Sequence, residues 1–478
     1  MTASSPTHTA SQLRVYNTRT RQEEPFTTIE PGKVGMYVCG VTVYDSAHIG
    51  HGMSSIVFDT IRRYLLHLGY EVRYAQNFTD VDDKIINRAN AEGLDPFELV
   101  ETLIAEWAEE IKAFNVLPAT INPRATEEIP EIIALIESLI ERDHAYESGG
   151  DVFFRVRSFP RYGELSGRNV EELQTGVRID LNERKEDPLD FAVWKTAKAG
   201  EPSWPSPWGD GRPGWHIECS AMCTHHLNGV VDIHGGGRDL IFPHHENEIA
   251  QSEAASGEHP FARYWLHNGM LQLNGEKMSK SLGNVVWLRT LIERNREMAF
   301  RLQVLQTHYR SPLNYTDAGL EAAAAGLERL ISAARPEPQA TADNQIVSGD
   351  NLTALAAETE RKFHEAMLSD FNTPVAIASL FDLSRNINRL RTQAGGTSQF
   401  REAQAKLVEL AGILGIILDN VPASAAGDAA PFIDLLIDVR TNLRASRQWE
   451  AADQIRVGLQ DLGIALEDGP SGTTWKKL

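Results

Sequence analysis

The stretch VGMYVCGVTVYDSAHIGHGMSS, residues 34–55, decides the fold that we predict for this chain. Its first half, residues 34–45, is apolar and rich in β-branched side chains, which is typical of a buried strand. Apolar residues then recur at helical spacing over residues 56–68, and Gly69 stands where a helix would end. Residues 70–80 supply a second strand. The sequence therefore predicts a βαβ unit inside a parallel, nucleotide-binding α/β sheet of the Rossmann type.

The bulk composition is that of a globular chain with several domains. The 478 residues exceed one ordinary core, and 42% of them are hydrophobic and 23% charged. No stretch approaches the roughly 18 uninterrupted apolar residues of a membrane span, so no membrane partner is expected. With only three cysteines, a disulfide framework is not expected, and we predict a cytoplasmic protein.

The formal net charge of −20 argues against a general nucleic-acid binder, because such proteins present a basic domain. It does not exclude local basic patches, since salt screens repulsion between exposed charges within about 8 Å. A nucleic-acid partner therefore has to be argued from local motifs.

The sequence predicts four regions along the chain. They are a disordered polar tail (1–12), a Rossmann-like domain with an insertion (13–310), a helical bundle (311–420) and a small C-terminal unit (432–478). The last segment, residues 449–478, predicts a helix followed by a small strand or hairpin. Residues 194–220 are dense in proline, glycine and tryptophan, which predicts a loop. Residues 333–350 and 421–431 are rich in small and polar residues, which predicts two linkers.

Two histidines lie at the predicted start of the first helix. A helix start exposes backbone N–H groups and a partial positive charge, which favour an anion. Gly50 leaves room for a ligand, and His48 and His51 add donors. The alternative is a polar helix start with surface histidines, and this stretch alone does not decide between them.

A second motif, GEKMSKSLGN at residues 275–284, carries Lys277 and Lys280 among small residues. Transfer of a phosphoryl or nucleotidyl group needs positive charge where the pyrophosphate departs. The alternative is a solvated surface loop. The two motifs together are far more specific than either motif alone.

The cysteines suggest a metal site. Cys39 lies at the carboxyl end of the first predicted strand, and Cys219 follows the tryptophan-rich segment. His244 and Glu248 are four residues apart and would share one helical face. Two thiolates, one imidazole and one carboxylate suit tetrahedral Zn²⁺, although two buried free cysteines are an open alternative.

The HIGH and KMSKS motifs resemble the paired signature of the class I aminoacyl-tRNA synthetases. Five blocks in order resemble one family of that class, the cysteinyl-tRNA synthetases, over nearly the whole chain. The blocks are MYVCGVTVYDSAHIGH (36–51), NFTDVDDKI (77–85), GWHIECSAM (214–222), DIHGGGRDLIFPHHENEIAQSE (232–253) and GEKMSKSLGN (275–284). The resemblance implies a Rossmann-like catalytic domain, a helical bundle and a small C-terminal anticodon-binding unit.

The resemblance also implies roles for individual residues. The catalytic set would be His48, His51, Lys277 and Lys280, with Gly50 and Asp239 beside ATP. The amino acid would meet Thr79, Trp215 and His234. One Zn²⁺ would be held by Cys39, Cys219, His244 and Glu248. Cys223 matches no ligand position of the family, and we interpret it as a structural or incidental thiol. His225, His226 and His245 are expected to be ordinary polar residues.

The predicted activity is ligation of L-cysteine to tRNA(Cys) through cysteinyl-adenylate, with Mg²⁺ accompanying ATP. We expect the chain to be a monomer. A substrate thiol can bind zinc as a thiolate, whereas the serine hydroxyl competes poorly there. One alternative is a related ligase that joins cysteine to an amino sugar, although the full helical region argues against it. A metal-dependent hydrolase and a nonenzymatic zinc module leave the KMSKS motif unexplained.

Overall fold

The computed structural model describes residues 12–169, 184–277, 285–336, 352–395, 397–418, 426–469 and 472–477. The chain divides into two compact units, Met1–Asp419 and Asn420–Leu478. The first unit contains both the predicted α/β region and the predicted bundle, and the boundary between those two remains a prediction. Residues 1–11 of the predicted tail lie outside the described residues.

The first unit contains thirteen strands and twelve helices among its described residues. The strands are β1 (Arg14–Asn17), β2 (Gln22–Pro25), β3 (Lys33–Thr42), β4 (Glu71–Thr79), β5 (Ala145–Ser148), β6 (Asp151–Phe154), β7 (Phe191–Thr196), β8 (Gly211–Pro213), β9 (Val231–Gly237), β10 (Ala262–Asn268), β11 (Leu271–Leu273), β12 (Glu276–Lys277) and β13 (Leu313–Tyr315). The helices are α1 (Ile49–His67), α2 (Asp83–Glu92), α3 (Pro96–Ala113), α4 (Ile129–Glu141), α5 (Trp215–Leu227), α6 (Glu246–Ser256), α7 (Leu288–Glu293), α8 (Glu297–Leu305), α9 (Asp317–Ala334), α10 (Leu352–Leu368), α11 (Thr373–Ala394) and α12 (Ser398–Ile413). Among the described residues, no helix is both long and apolar enough to cross a membrane.

The central sheet has four parallel strands in the order β10-β9-β3-β4. The predicted βαβ unit is confirmed as β3, α1 and β4. Gly69 follows the end of α1 at a φ of +89°, a left-handed conformation that glycine adopts without strain. All four strands point their carboxyl ends to one edge, where α/β sheets bind ligands.

Side chains of β3 alternate between two cores, one on each face of the sheet. Val34, Met36 and Val38 share a core with α1 and with the helices of the bundle. Tyr37 and Cys39 face the other way and pack with α4, α5 and α6. Cys39 therefore faces the two helices that carry the other predicted metal ligands.

The loop predicted over residues 194–220 is only partly correct. An antiparallel sheet of β5, β6, β7 and β8 lies here, and Trp194 belongs to β7 with no exposed surface. Its indole packs against Trp208 at 5.9 Å between ring centroids. The segment ends in helix α5, which begins at Trp215. The aromatic side chains that suggested an exposed loop are in part the core of a small sheet, so tertiary burial outweighs the local turn signal.

The second unit contains helices α13 (Ala426–Ala445) and α14 (Trp449–Asp461) and the hairpin of β14 (Ile464–Gly469) and β15 (Gly472–Lys477). The predicted terminal helix and hairpin are confirmed. The linker predicted over 421–431 is wrong from residue 426 onward, because that part belongs to α13; alanine, frequent there, is the best helix former. Residues 419–425 lie outside the described residues, as do residues 337–350 of the other predicted linker.

A buried arginine joins three parts of the first unit. Arg301, on α8, has no exposed surface and forms an ion pair with Asp59 on α1. It also donates to the carbonyl oxygens of Phe114, at 3.0 Å, and Leu414, at 2.8 Å. One guanidinium thus connects the first helix of the α/β region with the end of the helical bundle.

We expect Arg301→Met to lower the free energy of unfolding by about 2–4 kcal/mol, because it leaves the buried carbonyl oxygens of Phe114 and Leu414 without their donor and removes one of the two arginines that pair with Asp59. Arg296→Met, which removes an arginine paired with Glu321 near the surface, is expected to cost no more than about 1 kcal/mol. Denaturant unfolding of both variants measures the difference. Equal losses would contradict the central role of Arg301.

Candidate active site and metal centre

Helix α1 is capped by the histidines of its own first turn. His48 is the N-cap, and its Nδ1 accepts from the backbone N–H groups of Gly50, at 3.2 Å, and His51, at 3.3 Å. His51 Nδ1 accepts in turn from the His48 N–H at 3.4 Å, and the two rings stack 3.7 Å apart. Because Nδ1 is the acceptor in both rings, each neutral ring carries its proton on Nε2. That nitrogen is the one that can donate to a phosphate oxygen.

The exposed backbone N–H groups predicted at this helix start are not observed. His48 caps two of them, Ile49 donates to the Val286 carbonyl at 3.0 Å, and Gly52 donates to the His48 carbonyl at 3.2 Å. The helix dipole still favours an anion here, but the hydrogen-bond donors have to come from side chains.

The residues that follow the second signature motif contact the first signature motif. Residues 285–288 follow that motif, and Trp287 forms an antiparallel bridge with His48. The Leu288 N–H donates to the Ala47 carbonyl at 2.9 Å. Lys277, the third residue of the motif, ends β12, which pairs with β11; Lys280 lies outside the described residues. The described residues that follow the motif therefore lie beside the start of α1.

A cavity of about 370 Å³ opens at the carboxyl edge of the sheet. Six of the predicted site residues line it: Cys39, His48, Gly50, His51, Trp215 and Asp239. Asn268, the last residue of β10, and Met270, just beyond it, line it as well. One cavity thus joins a predicted metal ligand to both histidines of the first motif.

A slightly larger cavity, about 420 Å³, lies among α4, α5 and α6, but its lining contains none of the predicted site residues. That lining is mostly apolar and lacks convergent donors. We therefore place the candidate active site in the smaller cavity.

The four predicted metal ligands come together. One donor atom from each of Cys39, Cys219, His244 and Glu248 lies within 4.8 Å of the others, and all four side chains are buried. Cys39 Sγ donates to Glu248 Oε1 at 3.3 Å, and His244 Nε2 lies 3.0 Å from the same oxygen. Cys223 is buried but does not belong to this group.

Charges within the group favour a cation at its centre. A hydrogen bond from the Cys39 thiol lowers the pKa of Cys219 to about 6, while burial raises the pKa of Cys39 itself. Burial opposes a charged imidazole, but Glu248 and Cys219 outweigh it and raise the pKa of His244 to about 10. Burial likewise opposes the Glu248 carboxylate, but His234 and His244 hold its pKa well below the usual range. A proton on His244 thus balances two buried anions, and soft thiolates with imidazole and carboxylate suit Zn²⁺ in its place.

Further histidines surround the group, and sequence reasoning found only one of them. His234 is fully buried, lies 2.9 Å from Glu248 Oε2 and stacks on Trp265. His216 Nδ1 lies 2.8 Å from His244 Nδ1, and His245, interpreted from sequence as an ordinary polar residue, is fully buried beside His267. The adjacency of His216 to Trp215 was the one available signal.

Thr79 and His234 lie behind the cavity surface and do not line it. Thr79 is buried at the end of β4, opposite Thr42, and accepts from Asn77 Nδ2 at 3.3 Å. Its hydroxyl also bonds Glu218, whose pKa is raised well above its usual range by burial. Thr79 and His234 therefore lie in the layer of side chains behind the residues that line the cavity.

His225 and His226, expected to be ordinary polar residues, both bind Glu128, which is nearly buried. His225 Nδ1 lies 2.6 Å from one carboxylate oxygen and His226 Nε2 lies 2.7 Å from the other. This contact joins the end of α5 to the start of α4.

The hydrogen bond to Glu128 raises the pKa of His225. Its stabilising effect is therefore complete below the unfolded pKa of about 6.5 and is lost as the pH rises through the higher folded value. We expect His225→Gln to lower Tm by about 1–2 °C near pH 5.5 and by less near pH 8.5, since the pair is partly exposed. Thermal unfolding at the two pH values tests this, and a larger loss at high pH would contradict it.

Known proteins match this chain over nearly its whole length. A family model of the tRNA synthetases class I (C) catalytic domain matches residues 25–325, and a DALR domain model matches residues 362–419. A cysteine–tRNA ligase of Heliobacterium modesticaldum is 51% identical over 97% of this chain and 99% of its own length. One from Dehalococcoides mccartyi is 50% identical with the same coverage.

A solved structure shows the same fold at much lower identity. The Mycobacterium tuberculosis methionyl-tRNA synthetase in complex with methionyl-adenylate aligns with a TM-score of 0.59 and 16% identity, over 85% of this chain and 94% of that one. The fold and the signature motifs define a class I aminoacyl-tRNA synthetase. Within that class, the chain belongs to the cysteine–tRNA ligase family, as its full-length relatives show.

Proposed function

We propose that this protein activates L-cysteine with ATP and transfers the cysteinyl group to the 3′ end of tRNA(Cys). The observation that carries the proposal is the single cavity lined by Cys39, Trp215 and both histidines of the first motif. A cysteine whose sulfur reaches the metal ligands can extend its carboxylate toward the start of α1, where the nucleotide phosphates would lie. The full-length match to tRNA ligases favours this acceptor over an amino sugar.

We assign ATP to the side of the cavity formed beyond β9 and β10. Asp239 lines it there, and a carboxylate can accept the hydrogens of the ribose hydroxyls; Gly50 lines the same cavity at the start of α1. His48 and His51 donate from Nε2 to the phosphates, and Lys277 and Lys280 neutralise the departing pyrophosphate, with Mg²⁺ accompanying ATP. Trp215 forms a wall of the amino-acid pocket, while Thr79 and His234 position the groups behind it.

In each of the two steps, activation and transfer, one bond forms as another breaks. A carboxylate oxygen of cysteine attacks the α-phosphorus, and pyrophosphate leaves as the mixed anhydride forms. A ribose hydroxyl of the tRNA terminus then attacks the carbonyl carbon, losing its proton, and AMP leaves. Neither step needs an oxidant or a covalent enzyme intermediate.

Selection of cysteine follows from the proposed Zn²⁺ held by Cys39, Cys219, His244 and Glu248. The metal, when bound, supplies a soft Lewis acid that keeps the substrate sulfur as a thiolate. Rejecting serine by about 10⁴-fold needs about 5.5 kcal/mol, more than a pocket that differs by one methylene can supply. Metal coordination makes a separate editing domain unnecessary.

The second unit is proposed to bind the anticodon, and the chain is proposed to act as a monomer. Not every arginine there is available for RNA. Arg440 is buried and holds Asp468 with two bonds of 2.9 and 3.0 Å, and Trp475 donates to Asp434. Trp449, with 56% of its surface exposed, is the better candidate for stacking on an unpaired base.

We expect His244→Ala and Cys39→Ser to lose the bound zinc, because each removes one of the four predicted metal ligands. Cys223→Ala is the matched control: it removes a buried thiol one helical turn from Cys219 but outside the ligand group. Metal content of the purified variants by mass spectrometry measures the effect. Full zinc occupancy in His244→Ala, or an equal loss in Cys223→Ala, would reject the assignment.

We expect the wild-type protein to charge tRNA(Cys) with labelled cysteine in the presence of ATP, and a strong zinc chelator to abolish charging. The preference for cysteine over serine should fall toward the roughly 10–200-fold that apolar pockets achieve in any variant that retains activity without zinc. Cysteine-dependent pyrophosphate release without tRNA charging would instead support the amino-sugar ligase.

A further inference from the structure

The candidate active site contains a lysine that neither signature motif includes. Lys84 lies in the first turn of α2, where its backbone N–H donates to the N-cap side chain of Asp82 at 2.9 Å. Its side chain lines the active-site cavity, and Nζ lies 5.2 Å from the centre of the Tyr44 ring. The backbone of Lys84 is thus fixed, while its ammonium group contacts the face of the Tyr44 ring as its one partner among the described residues.

Asp83 and Asp45 are already paired with other cations, and the Asp82 carboxylate accepts from the backbone N–H of Lys84. Asp83 binds Lys195 at 2.9 Å and also Arg212, and Asp45 forms an ion pair with Arg88. Within the described ranges, no carboxylate lies within ion-pairing distance of Lys84. It is also the only lysine or arginine among the described residues that line the cavity. An unneutralised ammonium group at the mouth of a ligand cavity is suited to an anion.

The order of the strands separates Lys84 from the proposed nucleotide side. Asp239 follows β9, Asn268 ends β10, and Lys277 lies on β12, beyond β10 in the chain. Lys84 follows β4, which lies on the other side of β3. A lysine at this position is not a duplicate of the lysines assigned to pyrophosphate.

We infer that Lys84 binds a backbone phosphate at the 3′ end of the acceptor RNA and so positions the terminal ribose for the transfer step. This inference rests on the proposed function. The reaction brings two polyanions to the cavity, ATP and RNA, and ATP is assigned to the opposite side. The remaining anion, the carboxylate of cysteine, has to meet the α-phosphate near His48. Backbone phosphates are the usual partners of an exposed lysine in RNA complexes.

The test compares Lys84→Met, which removes the charge, with Lys84→Arg, which keeps it. Lys33→Met is the matched control, because Lys33 is exposed at the start of β3, on the opposite edge of the sheet. Each variant is assayed for cysteine-dependent ATP–pyrophosphate exchange and for single-turnover transfer from preformed cysteinyl-adenylate at increasing tRNA(Cys) and salt concentrations.

We expect Lys84→Met to weaken the apparent affinity for tRNA in the transfer assay roughly tenfold, as for the loss of one charged hydrogen bond. The salt dependence of log affinity should become shallower by about 0.7, the slope for one single-strand phosphate. Lys84→Arg should keep most of the wild-type affinity for tRNA and most of the wild-type salt dependence. Lys33→Met should match the wild type in both.

Three outcomes would overturn the inference. They are an unaltered tRNA affinity in Lys84→Met, a rise mainly in KM for cysteine, which assigns Lys84 to the amino-acid carboxylate, or a rise mainly in KM for ATP. If the wild type itself fails to activate cysteine or to charge tRNA, the proposed function fails instead, and the two failures are thereby distinguished.

Discussion

The alternation of side chains along β3 is the constraint on which the rest of the site depends. Because consecutive residues of a strand face opposite sides, Val38 packs toward α1 and Cys39 packs toward α5 and α6. Cys39 can meet Cys219 and Glu248 only in this register. A shift of one residue would turn the thiol toward the bundle and separate the metal ligands. The metal centre and the core of the sheet are therefore specified by the same pattern.

The buried polar groups around the four metal ligands are constrained as well, because each buried charge needs a partner. Glu248 accepts from His234 and from Cys39 and lies beside His244, and the side chains of Glu248 and His234 have no exposed surface. Buried charges persist only when they are paired and hydrogen-bonded. The histidines that surround Glu248 meet that requirement and keep its carboxylate ionised, so that the protein matrix is electrostatically prepared for a cation. Packing alone would not require so many imidazoles at one place.

Much of this arrangement was predictable from sequence, and the remainder has identifiable physical reasons. The βαβ unit, the four metal ligands and the terminal hairpin followed from periodicity, ligand chemistry and family resemblance. Trp194 was misplaced because its burial depends on a sheet formed by distant strands. His216 and His267 were missed because their contacts join residues far apart in the chain. The Ile49 N–H of α1 is paired by the carbonyl of Val286, more than two hundred residues away, and no local pattern predicts that contact.

The capping of α1 by its own signature histidines has a consequence for how the site forms. His48 and His51 hold the first turn together through their Nδ1 atoms, and that turn in turn orients both rings. The rings are aligned only while the turn is folded, and misaligned rings would cost the turn three of its hydrogen bonds. Local fraying of this helix start would therefore remove both imidazoles from the nucleotide side at once. A rate measured on a His48 variant thus combines lost chemistry with lost local order.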